Sequence, residues 1–232
     1  MKTKRIVALL LALCMIFALA SCTTGNTGNN EAKASEITVQ IGPNPETLDP
    51  ALNSAVDGGN MLITLFETLL IIDENNEVKP GQAAEWSVSD DGLTWTFTMR
   101  DGLKWSDGST LDAKDFEYTM KRIADPATAA PYGETVVGMV DGFDKVEESV
   151  DNLNVKASDD GKTLTVVLAY PCSYFDKLVA FGTMSPVQKA TVEANGDAWA
   201  TKPETYVCNG PYMIDSWTPG ERIVCKKNPN YK

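Results

Sequence analysis

The sequence predicts a mixed α and β body with prominent antiparallel hairpins, carried behind an export signal and a polar tether. Three observations point to this class. Leu93, Trp95, Phe97 and Met99 alternate with Thr94, Thr96 and Thr98, which reads as a strand with one buried face. Asp-Gly pairs at Asp91-Gly92, Asp101-Gly102 and Asp107-Gly108 supply tight turns. Asp112, with Asp115 three residues on, precedes Phe116, Met120 and Ile123 at helical spacing, so a capped amphipathic helix follows the hairpins.

The chain opens with Lys2, Lys4 and Arg5, then an uninterrupted apolar run of 15 residues over 6–20. A membrane-spanning helix needs about 20 such residues, so this run fits the core of a secretory signal. It ends in Leu19-Ala20-Ser21-Cys22, which resembles the bacterial lipobox. That resemblance implies cleavage of residues 1–21 and lipidation of Cys22. Residues 22–35, rich in Gly, Asn and Thr, have no apolar face and read as a flexible tether.

Beyond the tether, Ile37, Val39 and Ile41 alternate as in a half-buried opening strand. Asn44-Pro45 and Asp49-Pro50 then impose a loop. Met61, Leu62, Leu65, Phe66 and Leu69 share one face of a predicted helix. The run 89–96 is echoed by 158–165, both opening Ser-Asp-Asp-Gly, which predicts two hairpins with common turn chemistry. Asp125-Pro126 stops the central helix. A second helix is expected near Ser173, with Phe175, Leu178 and Val179 inward. A third is expected with Ser185 as cap, Pro186 at its first position and Gly196 past its end. Asn209-Gly210-Pro211 marks a turn, and Tyr212, Ile214 and Val224 around Pro219-Gly220 predict a final hairpin.

Composition excludes several chemistries. The 20 Lys and Arg against 32 Asp and Glu give a net charge of −12, and losing the signal makes the balance more acidic still. Nucleic acid and anionic membrane surfaces are therefore disfavoured as partners. The 232 residues contain no histidine, so His-based triads, zinc sites and general bases are excluded within this chain. Most carboxylates sit at turns and helix starts, where capping already accounts for them. No nucleophile elbow, phosphate loop or metal motif is present, and no cofactor or catalytic residue is indicated. Trp95 falls on the apolar face of its strand and reads as core. Beyond Cys14 and Cys22, the cysteines are Cys172, Cys208 and Cys225. A Cys172–Cys208 disulfide is one arrangement that export allows, and buried free thiols are the other.

The segments ETLDPALNSAVDGGNMLITLFETLLIID and PGQAAEWSVSDDGLTWTFTMRDGLKWSDGSTLDAKDFEYTMKRIADPATAAPY resemble the large extracellular solute-binding proteins of peptide ABC transporters. SYFDKLV, SPVQKATVEANGDAW, NGPYMIDSW and ERIVCKKNPNY continue the likeness in the same order, over nearly all of 36–232. Trp105-Ser106-Asp107-Gly108 followed by Ala113-Lys114-Asp115-Phe116 is its most characteristic part, and ADPATAAPY resembles the oligopeptide-binding branch. The resemblance implies a two-lobed periplasmic-binding-protein-like fold, of which this chain is an N-terminal fragment. Residues 36–66 and 189–232 would form parts of a split first lobe, 67–188 a hairpin-rich inserted domain, and the second lobe would be missing. It implies a monomer anchored at the outer face of the cytoplasmic membrane, passing an oligopeptide to a permease.

In such proteins an extended peptide lies between closing lobes and pairs through its main chain. By resemblance, Ser54 and Val56, after Leu48-Asp49-Pro50, would meet that backbone. Family members can carry a carboxylate at the Ser54 position. Tyr132 would line the cleft from the inserted domain. Other ligands within the family (a dipeptide, a nickel chelate, heme or an oligosaccharide) and a surface sensor of peptide signals are alternatives. A secreted hydrolase is a further one, which the lack of histidine and of a nucleophile motif disfavours.

Overall fold

The computed structural model describes residues 36–232. The signal, Cys22 and the tether lie outside the described residues. Residues 40–232 pack as one body.

Helix α1 spans Val56–Leu65, and the hairpin of β1 (Leu70–Ile72) and β2 (Val78–Pro80) follows it. A four-stranded antiparallel sheet has the order β3-β4-β6-β5, from β3 (Ala83–Val88), β4 (Thr94–Met99), β5 (Val155–Ala157) and β6 (Thr163–Val167). Helix α2 (Ala113–Ala124) packs on β5 and β6. The short helices α3 (Gly133–Val137) and α4 (Phe175–Leu178) follow, then α5 (Lys189–Asn195) and the hairpin of β7 (Tyr212–Thr218) and β8 (Arg222–Lys227).

The predicted alternation in β4 is realised. Trp95, Phe97 and Met99 are buried, and Trp95 and Phe97 lie opposite Val166 and Leu164 of β6. Phe175 meets Trp95 edge to face at 5.3 Å. Phe116, Met120 and Ile123 of α2 are all buried. Each such side chain contributes about 1.5–3 kcal/mol on leaving water. The capping box at the start of α2 is complete: Asp112 accepts the Lys114 N–H at 2.7 Å and Asp115 accepts the Asp112 N–H at 3.0 Å.

The two echoing turns are chemically the same. Ser89 donates to Asp91 at 2.5 Å and Ser158 to Asp160 at 2.6 Å. Each Asp accepts a backbone N–H two residues on, at 3.1 Å in both cases. Gly92 and Gly161 have φ of 73° and 70°, the left-handed region that glycine enters at least cost.

Three expectations about elements are corrected. Residues 36–41 form no strand, and Ile37 and Val39 are exposed, because no partner strand among the described residues pairs with them. Helix α1 ends at Leu65: Phe66 turns extended, so Phe66 and Leu69 are buried from outside the helix. Helix α5 starts at Lys189 instead of Pro186, because the Val187 N–H donates to Thr119 Oγ1 of α2 at 2.9 Å and holds that stretch extended. Gly196 does follow its end, and the final hairpin forms as expected around Gly220.

Of the two cysteine arrangements the sequence allows, the free thiols are the one found, with Cys225 only half-buried. Cys172, Cys208 and Cys225 are free thiols, so the Cys172–Cys208 bridge is not formed. The two belong to different neighbourhoods. The Cys172 carbonyl accepts the Phe175 N–H at the start of α4, whereas Cys208 is bonded to Ser106 and to the first carbonyl of β7. Burial pushes the Cys208 thiol up to about 12, so it stays protonated.

Candidate functional site

Asp49 organises the segment that carries Ser54 and Val56. Its side chain is 3% exposed, and the carboxylate accepts from four donors. Arg122 of α2 donates twice, at 3.0 and 2.6 Å, in a bidentate pair. Trp199 Nε1 donates at 3.0 Å, and the Ala51 N–H also donates at 3.0 Å. The Asp49 carbonyl accepts the Leu52 and Asn53 N–H groups at 3.1 and 2.9 Å, closing the turn. Tyr206 donates its hydroxyl to the Leu48 carbonyl at 2.7 Å and stacks on Trp199 with ring centroids 5.3 Å apart. Burial, then the neighbouring Cys208 and Asp49, holds the Tyr206 hydroxyl far above the usual tyrosine range. It is therefore a permanent donor.

From that buried anchor the chain emerges to solvent. Ser54 and Ala55 are exposed, and Val56, the first residue of α1, is 80% exposed. Asn53 donates to the Ala55 carbonyl at 3.1 Å and lies against Gly58, where any Cβ would collide with its side chain. An exposed segment is thus anchored by buried hydrogen bonds, with the Ala55 carbonyl taken by the Asn53 side chain and the Gly59 N–H, and Val56 opening the helix. A segment held this way has met its ordering cost before any ligand arrives.

Tyr132 is half-buried at the start of α3. Asp125 caps the preceding turn by accepting the Ala127 N–H at 2.9 Å, and Ala129 is left-handed with φ 51°. The Tyr132 ring meets Phe181 edge to face, with centroids 5.4 Å apart and planes at 81°. Phe181 leads into the short helical turn Gly182–Met184, which packs on α1. Tyr132 therefore reaches the element that begins at Val56 through Phe181, and no hydrogen bond or ring contact joins it to Ser54 or Val56 directly. A hollow of about 340 Å³ beside Ala129, Ala130 and Gly133 has an acidic rim, and Tyr132 is not in its wall.

A second, partly buried cluster joins segments far apart in the chain. Glu67 accepts from Gln82, Arg100 and, at 2.6 Å, from the Tyr231 hydroxyl. Asn209 clamps the Glu67 backbone, accepting its N–H at 3.1 Å and donating to its carbonyl at 2.8 Å. Burial and the bond to Glu67 push Tyr231 up to about 12.

The sequence marked Asp49 only as a loop former. Its partners stand at positions 122 and 199, and nothing local announces them. Among the described residues no group of His, Cys, Asp and Glu could hold a metal ion, and no helix is long and apolar enough to cross a membrane.

With this geometry in place, comparison with known proteins defines the class. Residues 77–232 match the middle region of the bacterial extracellular solute-binding proteins, family 5, and the chain belongs to that family. It is 40% identical over 194 residues to the periplasmic oligopeptide-binding protein OppA of Salmonella typhimurium, covering 82% of this chain and 35% of that one. It is 36% identical over 192 residues to the probable deoxycholate-binding periplasmic protein YgiS of Escherichia coli, covering 81% of this chain and 36% of that one. The crystal structure of Haemophilus influenzae OppA in complex with RPPGFSPFR superposes with a TM-score of 0.77 at 33% identity, over 82% of this chain and 38% of that one. The chain thus spans a little over a third of the length of these relatives. Its fold is mixed α/β and matches part of a two-lobed, periplasmic-binding-protein-like architecture.

Proposed function

We propose that the whole protein captures oligopeptides outside the cytoplasmic membrane and passes them to an ABC permease, without catalysis. The observation that carries this reading is the exposed segment Ser54–Val56, anchored from beneath by the Asp49 cluster. Main-chain groups of this segment that are not already bonded pair with an extended peptide and make little demand on its side chains. Tyr132 supplies an aromatic wall from across the cleft. Residues 67–188 act as the inserted domain, and 36–66 with 189–232 belong to the split lobe. Closure of the second lobe buries the ligand. Residues 1–21 direct export, and Cys22, lipidated and followed by the tether 22–35, holds the monomer at the membrane.

Titration calorimetry of the whole protein with mixed tri- to pentapeptides tests this. Binding tighter than roughly 10 μM is expected, an affinity of about 7 kcal/mol, with the peptides recovered intact. A second reading takes an amphipathic acid as ligand, because a relative of equal coverage is described as deoxycholate-binding. Binding of deoxycholate with no response to peptides would establish that reading and remove the first. For the anchor, Cys22→Ala should move the protein from the membrane fraction to the soluble one.

A further inference from the structure

Phe181 is an aromatic side chain left 44% exposed in a segment that is not free to move. Its N–H donates to the Leu178 carbonyl at 3.0 Å, and its carbonyl accepts the Met184 N–H at 2.8 Å. Behind it, Phe175, Val179 and Met184 are buried, so the corner cannot swing. A ring carried on a fixed backbone and still open to water has a free surface to offer. Beside it stands Tyr132, with the two planes at 81°. Two rings at nearly a right angle form an L-shaped corner. A flat or bulky apolar group in that corner meets the face of one ring and the edge of the other, the two favourable aromatic geometries.

We propose that Phe181, together with Tyr132, is a specificity-determining corner that selects a large apolar or aromatic side chain from the bound peptide. The inference rests on the peptide-binding reading and deepens it: main-chain pairing at Ser54–Val56 sets the register, and this corner reads one side chain. The turn Gly182–Met184 that follows Phe181 packs on α1, the helix that opens at Val56, so one packing contact links the corner to the backbone-pairing segment. An edge-to-face aromatic contact beyond simple burial corresponds to roughly tenfold in affinity.

The test uses the whole protein and alanine-based tri- to pentapeptides in which each position in turn carries Ala, Ser, Lys, Leu or Phe. At one position, Phe and Leu should bind about tenfold tighter than Ser, within the range of such contacts. Phe181→Ala should reduce that preference to under about threefold by weakening the Phe and Leu peptides much more than the Ser peptide. Phe181→Leu should retain the preference for Leu, which separates loss of the corner from any disturbance of the turn. Phe181→Ala weakening all peptides alike, or a preference for Lys at every discriminating position, would overturn the proposal while leaving peptide capture intact. If the unaltered protein binds no peptide, the underlying reading fails instead, and this one with it.

Discussion

Replacing Asp49 by Ala removes one carboxylate and orphans four donors: two from Arg122, one from Trp199 and the Ala51 N–H. Water cannot replace it, because Asp49 is 2% exposed and the Arg122 side chain 13%. Breaking one partner of a buried, hydrogen-bonded pair costs roughly 3–5 kcal/mol, because the remaining charge is left without compensation. Asp49→Ala should therefore destabilise by about that amount in urea unfolding followed by tryptophan fluorescence, with the m-value unchanged. Arg122→Met strands the Asp49 carboxylate in turn, but should cost somewhat less, because the Trp199 and Ala51 N–H donors still serve it. The double variant should be more stable than the sum of the two losses predicts, by about 2 kcal/mol or more. The stable fraction of Asp49→Ala should also bind peptide more weakly, because the exposed turn would lose its preordering. A loss below about 1 kcal/mol, or strict additivity in the double variant, would refute the idea that Asp49 is the anchor of this turn.

Asp115 is pushed up to about 6, first by burial and further by the Asp112 charge, against the opposing Asp112 N–H bond. Its folded value lies above its unfolded one, so its contribution is fully present below about pH 4 and is lost as pH rises through about 6. Ionised Asp115 then costs on the order of 3 kcal/mol at pH 7.5. Asp115→Asn keeps an acceptor for the cap, so its stability advantage over the unaltered protein should be larger at pH 7.5 than at pH 5. Equal differences at the two pH values would contradict this. Gly210→Ala would drive a Cβ into the backbone of Leu65 and Phe66 at 2.5–2.6 Å, so a loss of roughly 1–3 kcal/mol is expected in the same unfolding assay. Cys172, Cys208 and Cys225 should all alkylate in denaturant without reductant, whereas in the native state Cys225, the least buried, should react before Cys208. A Cys172–Cys208 peptide pair in a nonreducing mass map would contradict the free-thiol assignment.

The parts of the fold that sequence revealed are those whose cause is local. Asp112 and Asp115 cap α2 with atoms three residues apart, and Ser89 and Ser158 each bond an Asp two residues on. The alternation from Leu93 to Met99 needs only the period of a strand. What stayed hidden depends on distant partners. The apolar alternation of Ile37, Val39 and Ile41 is a genuine strand pattern, but a strand requires a neighbour to pair with. Ser185-Pro186 has the chemistry of a helix start, yet Thr119 of α2 captures the Val187 N–H and delays α5. Asp49 is the clearest case. As half of an Asp-Pro pair it reads as a turn, and its role emerges only when α2 and the segment at Trp199 arrive beside it. The resemblance to a family named Ser54, Val56 and Tyr132. It did not name Asp49 or Phe181, the side chains that hold the turn and adjoin Tyr132.

The proposed grip on ligand main chain can be probed with the peptides themselves. Calorimetry on the whole protein would compare a bound tripeptide with versions N-methylated at one amide at a time. Losing a hydrogen bond to a buried partner costs about 1–3 kcal/mol, so affinity should fall roughly tenfold or more at the paired amides. Undiminished binding by every N-methylated peptide would show that the backbone is not what this protein holds.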